Sequence, residues 1–108
     1  MNKFEAVILF QPDLTVSILK KQEDSFKNQL SQINGTIIDQ EDWGLRDLSY
    51  NIKKNKKAFY KFYQIEIEGS KIQEIKNTLT QNEKIIRHLF LKVDNHEKLP
   101  TKQSIVEN

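Results

Sequence analysis

The sequence predicts an α+β fold, because four segments with strand-like patterns are interrupted twice by segments with helical periodicity. In a strand, alternate residues point to opposite faces, whereas apolar residues three or four apart mark one face of a helix. The order strand, helix, strand, strand, helix, strand describes two interlocked βαβ units with right-handed crossovers. The chain has 108 residues, which is the size of one domain. We therefore expect the ferredoxin-like βαββαβ arrangement, a four-stranded antiparallel sheet with two helices on one face.

The first strand and the first helix come from the N-terminal third of the chain. Apolar residues occupy both faces near the end of Phe4 to Phe10, which predicts a central strand. Thr15 or Ser17 can cap a helix that runs through Asn34, and Gly35 is expected to end it in the left-handed conformation. The core stripe of this helix consists of Leu19, Phe26, Leu30 and Ile33.

The second and third strands flank a lysine-rich segment. The second strand begins at Thr36 and extends to Ile52, and the glycine inside it, Gly44, indicates a bulge or a bend. The loop at 53–57 contains four lysines, and an aromatic strand from Ala58 to Glu68 follows it.

A second helix and a fourth strand complete the domain. Residues 70–73, Ser-Lys-Ile-Gln, fit a capping box at the start of the helix, and Ile85 to Val93 has the pattern of a strand. One face of the helix carries Ile72, Ile75 and Leu79. Periodicity ends at Asp94, so we expect a folded domain over 1–93 and a flexible C-terminal tail over 94–108.

The sheet should leave one face without helices, with the first and third strands central and the second and fourth at the edges. On the central strands, the outward apolar residues are Val7, Leu9, Tyr60 and Phe62. We expect these four to form an exposed apolar patch, which usually has a binding partner. On the fourth strand, one face should carry Ile85, Arg87, Leu89 and Leu91. The other face should carry Ile86, His88, Phe90 and Lys92.

Composition excludes several classes of function. The chain has no cysteine, so disulfides, thiolate nucleophiles and cysteine-ligated metal sites are excluded. Its start has one basic residue and a short apolar run, so no signal peptide or membrane span is expected. The histidines are His88 and His96, and neither has the neighbours that a metal site needs. We therefore predict no metal, no cofactor and no small-molecule substrate.

Catalysis is not expected either. A phosphate-handling enzyme of this fold, such as an acylphosphatase, needs a glycine-rich loop after the first strand. Residues 11–14, Gln-Pro-Asp-Leu, contain no glycine and carry an acid that would repel phosphate. Glu41, Asp42 and Asp47 form no acid–base pair that can be placed in a pocket.

The strongest functional signal is the lysine cluster of Lys53, Lys54, Lys56 and Lys57. The net charge is only +2, with 15 lysines and 2 arginines, so the placement of charge matters more than its sum. Cations at a turn beside aromatic strand residues suit the binding of a phosphate backbone. A charge run can also be no more than a solvated turn.

A second signal lies on the edge strand and the open face. Trp43 stands on an edge strand, which favours a role in an interface. Asp42, Arg46 and Asp47 can keep this edge from pairing with other sheets, orient a partner, or do both. Carboxylates around the apolar patch favour a basic protein over RNA. The candidate protein-binding residues are Asp42, Trp43, Arg46, Tyr60 and Phe62.

The ordered set of residues resembles bacterial small-subunit ribosomal protein six. The strongest match is Glu-Asp-Trp-Gly at 41–44. The matching positions that follow are Arg46, Leu48, Tyr50, Ile52, Lys53, Ala58 and Tyr60. The opening strand, the break at 11–13 and Ile-Arg-His-Leu at 86–89 correspond as well, so the resemblance covers about residues 3–93. Asn51 stands where the family usually has proline, and the family usually has more arginine.

This resemblance implies a structural, non-enzymatic protein of the small ribosomal subunit in the cytoplasm. It implies binding to the central domain of small-subunit ribosomal RNA together with a partner, the eighteenth small-subunit ribosomal protein. Arg87 matches an arginine of the family's last strand. Because lysine lacks the planar fork of arginine, we expect general attraction to phosphates rather than bidentate contacts. The candidate RNA-binding residues are Lys3, Lys53, Lys54, Lys56, Lys57, Arg87 and Lys92.

The RNA-recognition motif has the same order of elements and provides the alternative hypothesis. Its third strand carries aromatic residues that stack on bases. Residues 57–61, Lys-Ala-Phe-Tyr-Lys, match only the first and third positions of its signature. Lys61 stands where a stacking aromatic is needed, so single-stranded RNA binding through the sheet face is the second hypothesis.

Overall fold

Four strands and two α-helices follow one another in the predicted order in the computed structural model, which describes residues 1–99. They are β1 (Asn2–Phe10), α1 (Val16–Gln32), β2 (Thr36–Ile52), β3 (Asn55–Ile67), α2 (Ile72–Thr80) and β4 (Ile85–Val93). The strands form one antiparallel sheet in the order β2-β3-β1-β4. This confirms the predicted ferredoxin-like fold, with β1 and β3 in the centre and β2 and β4 at the edges.

The sheet carries an apolar cluster on each face. The cluster between the sheet and the helices includes Ile8, Phe26, Leu30, Tyr63, Ile65, Ile67, Ile75 and Leu79. The cluster on the opposite face, which we name the outer cluster, consists of Val7, Leu9, Trp43, Ala58, Tyr60, Phe62 and Ile86. The faces predicted for the central strands are therefore correct.

The predicted exposure of the outer apolar patch is wrong. Val7, Tyr60 and Phe62 are 0% exposed and Leu9 is 3% exposed. Trp43 belongs to the same cluster, and partly buried side chains pack against it from the hairpin, from β4 and from the C-terminal segment: Leu48, Ile52, Leu89 and Leu99. Alternation along a strand fixes the face of a side chain, but it does not show that a long hairpin will fold over that face.

Strand β2 is irregular, because its pairing with β3 shifts at three places. One shift lies between Asp42 and Gly44, where Gly44 has a φ of 76°. The predicted bulge at Gly44 is therefore confirmed. A bulge bends its strand and increases the local twist, and three irregularities allow β2 to curve around the end of the sheet.

The turn between β2 and β3 is shorter than the predicted loop at 53–57. Lys53 and Lys54 form it alone, with φ values of 49° and 67°, as a two-residue hairpin turn of the I′ type requires at both positions. Asn55 already belongs to β3, and its side-chain amide donates to the carbonyl oxygens of Ile52 and Lys53 at 3.3 and 3.1 Å. These bonds hold two lysines in a conformation that usually favours asparagine or glycine.

The C-terminus of α1 differs by one residue from the prediction. Asn34, not Gly35, has the left-handed conformation, with a φ of 62°. The N–H of Gly35 donates to the carbonyl of Leu30 at 2.7 Å, which is the outer bond of a Schellman motif. Glycine at 35 also suits the close packing there, because a Cβ would lie 3.2 Å from that carbonyl oxygen and 3.3 Å from Cδ1 of Ile67, so these neighbours would have to shift slightly.

The predicted capping box at the start of α2 is wrong. A 3₁₀ turn, Gly69–Lys71, precedes the helix, and Lys71 holds the N-cap position without a side-chain hydrogen bond to the described part of the chain. The N–H of Gly69 instead donates to Oδ1 of Asn2 at 2.9 Å. Ser70 is therefore inside the 3₁₀ turn and cannot act as the cap.

The faces predicted for β4 hold only for part of that strand. Leu9 pairs with Arg87, but Phe10 pairs with Ile85, so Ile86 is an extra residue at a bulge. Ile85 consequently joins the helix-side cluster, whereas Ile86 joins the outer cluster. The expected grouping of Ile85 with Arg87 is wrong because period-two alternation is interrupted at this bulge.

The segment predicted as a flexible tail, 94–108, is described only as far as Leu99. In that part, the side-chain amide of Gln64 donates to the carbonyl of Glu97 at 2.6 Å, and Nε2 of His96 lies 3.2 Å from the carbonyl oxygen of Ile65. The remainder of the predicted tail, 100–108, lies outside the described residues, and its flexibility stays a prediction.

Replacing Asn34 with alanine should destabilise the fold by about 1 kcal/mol, because alanine tolerates the left-handed conformation less well than asparagine. The same change at Asn28, an exposed position inside α1, should be neutral or slightly stabilising, since alanine is the better helix former. Urea unfolding of both variants measures the difference. Equal stabilities would show that the Schellman motif does not depend on Asn34.

Candidate RNA and protein interface

The two cationic segments identified in the sequence meet at one end of the sheet. The end of the β2–β3 hairpin reaches β4, where Nη1 of Arg87 donates to the hydroxyl of Tyr50 at 3.2 Å. Lys53 and Arg87 line the same shallow surface depression, together with Thr80 and His88. Strand β4 is the far edge of the sheet from β2, so only the curvature of the hairpin makes this contact possible.

Two more lysines lie directly beside this turn, at the start of β3. Lys56 and Lys57 are exposed, and Nζ of Lys57 is 3.7 Å from Oδ1 of Asp47. An ion pair between two exposed side chains contributes little and leaves the lysine accessible. We name the group formed by Lys53, Lys54, Lys56, Lys57 and Arg87 the cationic tip.

The other two candidate RNA-binding residues lie elsewhere. Lys3 pairs with Glu66 and Val93, and Lys92 pairs with Phe4, whereas Arg87 pairs with Leu9. Along β1, Lys3 is six residue steps from Leu9 and the partner of Lys92 is five steps from it, which is about 17–20 Å along a strand. Lys3 and Lys92 also stand on opposite faces, because paired residues share a face and Phe4 belongs to the helix-side cluster. The structure does not join these two lysines to the cationic tip.

His88 adds no positive charge beside the tip at neutral pH. Burial lowers its pKa, and the ammonium groups of Lys76 and Lys53 lower that pKa further. Its Nε2 lies 3.1 Å from the hydroxyl oxygen of Thr80, and its ring meets the edge of Phe90. The ring is therefore a neutral packing element on the helix side of β4.

The candidate protein-binding residues form a stacked group. The Trp43 and Phe62 rings are nearly parallel, at 9°, with centroids 5.2 Å apart. The guanidinium carbon of Arg46 lies 5.4 Å from the Trp43 centroid and 5.9 Å from that of Tyr60. Nε of Arg46 also donates to the carbonyl of Trp43 at 3.2 Å. Tyr60 and Phe62 are fully buried and Trp43 is only 8% exposed, so Arg46, which is half-buried, is the most accessible member of this stacked group.

The bulge at Gly44 explains how Trp43 and Arg46 come together. Residues three apart in a regular strand point to opposite faces, but the extra residue reverses the alternation after Asp42. Arg46 then pairs with Ala58, which belongs to the outer cluster, and its side chain lies on the same face as Trp43.

Asp42 is held inside a charge network that the sequence did not reveal. Its Oδ2 is 2.8 Å from Nζ of Lys61, and its Oδ1 accepts the N–H of Gly44 at 2.8 Å. Lys61 also pairs with Glu23 of α1 at 3.2 Å. The Lys61 side chain is only 8% exposed. One signal in the sequence could have revealed this network. Lys61 occupies an inward position of an apolar strand, and a buried lysine requires a carboxylate partner.

The pKa values in this network favour the charged forms. Burial alone would raise the pKa of Asp42, but the bonds from Lys61 and from the Gly44 N–H outweigh it and leave that pKa below its usual value. Burial alone would lower the pKa of Lys61. The hydrogen bonds and negative charges of Asp42 and Glu23 outweigh this effect, and the pKa of Lys61 is raised above its usual value. Asp42 and Lys61 are therefore both charged at neutral pH, and their ion pair fixes the bulge from the helix side.

Neither a metal centre nor a membrane span is found in residues 1–99. That part of the chain contains no group of three or more histidine, aspartate or glutamate side chains that could hold a metal ion. Neither of its helices is both long and apolar enough to cross a membrane.

Comparison with known proteins identifies one family. Residues 3–92 match the model of the family described as ribosomal protein S6. Small ribosomal subunit protein bS6 of Rickettsia felis is 36% identical over 101 residues, which cover 94% of this chain and 84% of that protein. The protein of the same name from Zymomonas mobilis is 33% identical over 101 residues, covering 94% and 82% of the two chains.

A solved structure shows the same fold. The crystal structure of 30S ribosomal protein S6 from Thermotoga maritima superposes with a TM-score of 0.80 at 22% identity. The match covers 85% of this chain and 87% of that one.

Replacing Lys61 with methionine should destabilise the protein by about 1 kcal/mol at neutral pH, because Glu23, which is 27% exposed, loses its partner. Solvent screens much of the loss at Asp42, whose side chain is 61% exposed. The contribution of Asp42 to the free energy of unfolding is complete above its usual pKa of 3.8. It is lost as the pH falls through the lower pKa that Asp42 has in the folded protein. The contribution of Lys61 to the free energy of unfolding is complete below its usual pKa of 10.5. It is lost as the pH rises through the higher pKa that Lys61 has in the folded protein. The difference in the free energy of unfolding between Lys61→Met and the unmodified protein should therefore become smaller in acid and in strong alkali.

The matched control is Lys57→Met, which removes an exposed ion pair of the same strand and should cost less than about 0.5 kcal/mol. Urea unfolding across the pH range measures both variants. A Lys61→Met loss as small as that of the control would show that the network does not stabilise the fold.

Proposed function

Because the chain belongs to the ribosomal protein S6 family, we propose that it binds the central domain of small-subunit ribosomal RNA as a component of the small ribosomal subunit. The family is structural and not enzymatic, so this protein contributes contact surface rather than chemistry. The observation that carries the proposal is the cationic tip, where two separate segments present five cations at one end of the sheet. The proposed location is the cytoplasm, on the ribosome.

The chemistry of the cationic tip suits a phosphate backbone. Lysine and arginine that neutralise phosphates release condensed counterions, which supplies affinity without reading sequence. Lys53, Lys54, Lys56 and Lys57 act as compact point charges, and Arg87 adds a planar donor group. Specificity then depends on the shape of the RNA and on the neighbouring protein.

Lys3 and Lys92 are candidates for separate RNA contacts at the other end of the sheet. Lys3 faces Glu66 across the strand pair, which weakens its attraction for phosphate. Lys92 is exposed on the helix side. Both residues therefore rank below the cationic tip as sources of RNA affinity.

We also propose that the edge of β2 binds the eighteenth small-subunit ribosomal protein. Aromatic and arginine side chains dominate the energy of many interfaces. Arg46 stands at this edge over Trp43, which is only 8% exposed and therefore acts mainly by positioning Arg46. Asp42 acts by holding the bulge, since both of its carboxylate oxygens are engaged within the chain. Tyr60 and Phe62 act as the buried support of Trp43.

Base reading through the sheet face, as in the RNA-recognition motif, receives no support. That mechanism needs exposed aromatic residues on the central strands. Tyr60 and Phe62 are 0% exposed, and Lys61 points to the helices.

Changing Lys54, Lys56 and Lys57 together to glutamine should weaken RNA binding about equally for different sequences. It should also reduce the slope of log affinity against log salt by about 1 for each lysine that contacts a phosphate. Filter binding of transcribed central-domain RNA over a range of salt concentrations, with the partner protein present, measures both effects.

The matched control changes Lys20, Lys21 and Lys27, which are exposed on α1, and removes the same net charge. It should leave the slope nearly unchanged, because these lysines lie away from the tip. Equal slopes for the two triple variants would contradict RNA contact at the cationic tip.

Replacing Arg46 with alanine should weaken the complex with the partner protein by about 1–3 kcal/mol, since Arg46 covers Trp43 at the proposed interface. Calorimetric titration of the purified partner measures the change. Leu45→Ala is the control, because Leu45 pairs with Phe59, which packs against the helix-side cluster. The proposed interface would be rejected if Leu45→Ala reduced affinity and Arg46→Ala did not.

A further inference from the structure

Tyr50 is unusual among the aromatic residues of the chain. It is 60% exposed, and it is the one aromatic side chain of residues 1–99 that is largely open to solvent. The other aromatic residues of that range pack at least partly into the two clusters on the sheet. An exposed ring has an apolar face that gains free energy only when something covers it.

The backbone of β2 presents this ring outside the regular ladder. Asp47 pairs with Lys57 and Ile52 pairs with Asn55, so four residues of β2 stand opposite one residue of β3. Tyr50 is one of these four residues. Leu48 and Ile52, on either side, pack onto the outer cluster, which anchors the segment while Tyr50 remains exposed.

The ring also has a fixed position relative to the cationic tip. Its hydroxyl accepts a hydrogen bond from Nη1 of Arg87 at 3.2 Å. A guanidinium group has five N–H donors, so this bond leaves others for a ligand. Lys53, three residues along the chain, lines the depression that Arg87 also lines. An exposed aromatic ring therefore contacts one cation, Arg87, and a second cation, Lys53, lies beside Arg87 in the same depression.

We infer that Tyr50 stacks against an unpaired nucleobase of the RNA, while Arg87 and Lys53 hold the adjoining phosphate. This inference rests on the RNA contact proposed above for the cationic tip. Proteins bind single-stranded or bulged nucleotides by combining an aromatic platform with a positive groove along the backbone. The tip and Tyr50 supply both parts within a few residues, whereas the buried aromatics of β3 supply neither.

Stacking and phosphate attraction respond differently to salt, and this difference provides the test. Tyr50→Leu keeps an apolar side chain but removes the aromatic ring, and Tyr50→Phe keeps the ring but removes the hydroxyl that Arg87 contacts. The full-length variants, with the partner protein, are titrated with transcribed central-domain RNA at several salt concentrations. Thermal unfolding verifies that each variant is folded.

We expect Tyr50→Leu to weaken RNA binding about five- to a hundredfold at every salt concentration, with an unchanged salt slope. Tyr50→Phe should bind RNA within about twofold of the unmodified protein. Wild-type affinity for Tyr50→Leu would overturn the inference. An equal loss for Tyr50→Phe would overturn it too, because the hydroxyl that positions Arg87 would then be the essential group.

Three further results separate this inference from the proposed function. If the triple lysine variant loses salt slope but Tyr50→Leu binds normally, RNA contact at the tip stands and stacking is rejected. If Tyr50→Leu reduces affinity for the partner protein in the absence of RNA, the ring is a protein contact and stacking is likewise rejected. If the triple lysine variant keeps the salt slope of the unmodified protein, RNA contact at the cationic tip is rejected, and the inference about Tyr50, which rests on that contact, is rejected with it.

Discussion

The ionic contact of Lys61 with Glu23 and Asp42 connects three elements that the rest of the surface depends on. Lys61 lies on β3, Glu23 on α1 and Asp42 on β2, so one buried ammonium group joins the helix layer to the edge of the sheet. Within residues 1–99, Lys61 is the one charged residue that is buried. A buried cation is tolerated only when carboxylates surround it. Asp42 supplies one of these carboxylates with Oδ2, and its other oxygen, Oδ1, accepts the N–H of Gly44.

The bulge at Gly44 determines what lies on the outer face. It places Trp43 over Phe62 and brings Arg46 onto Trp43. The same bending of β2 carries Leu48 and Ile52 onto the outer cluster and brings Tyr50 to Arg87. The sheet face without helices is therefore covered. The surfaces proposed for binding lie instead at the edge of β2 and at the tip of the hairpin.

Both proposed binding surfaces use β2 and the residues next to it. The protein surface around Trp43 and Arg46 and the RNA surface around Tyr50 and Lys53 are separated by a few residues of one strand. The two surfaces have different chemistry. The first is an aromatic and guanidinium surface supported by a buried cluster, whereas the second consists of exposed cations with one exposed ring. A single irregular strand can serve both because its bulges direct neighbouring segments to different surroundings.

The sequence by itself determined the order of the elements, the strand order of the sheet and the faces of β1 and β3. These features follow from local periodicity and from the restricted handedness of βαβ connections. It also located the lysine turn, the bulge at Gly44 and the family. Only the tertiary structure decided that the outer patch is covered, that Lys61 is buried and paired, and that Arg87 meets the hairpin. These features depend on contacts between residues far apart in the chain, which no local pattern encodes. They also depend on the irregular pairing of residues 48–51, which no glycine marks, in contrast to the bulge at Gly44.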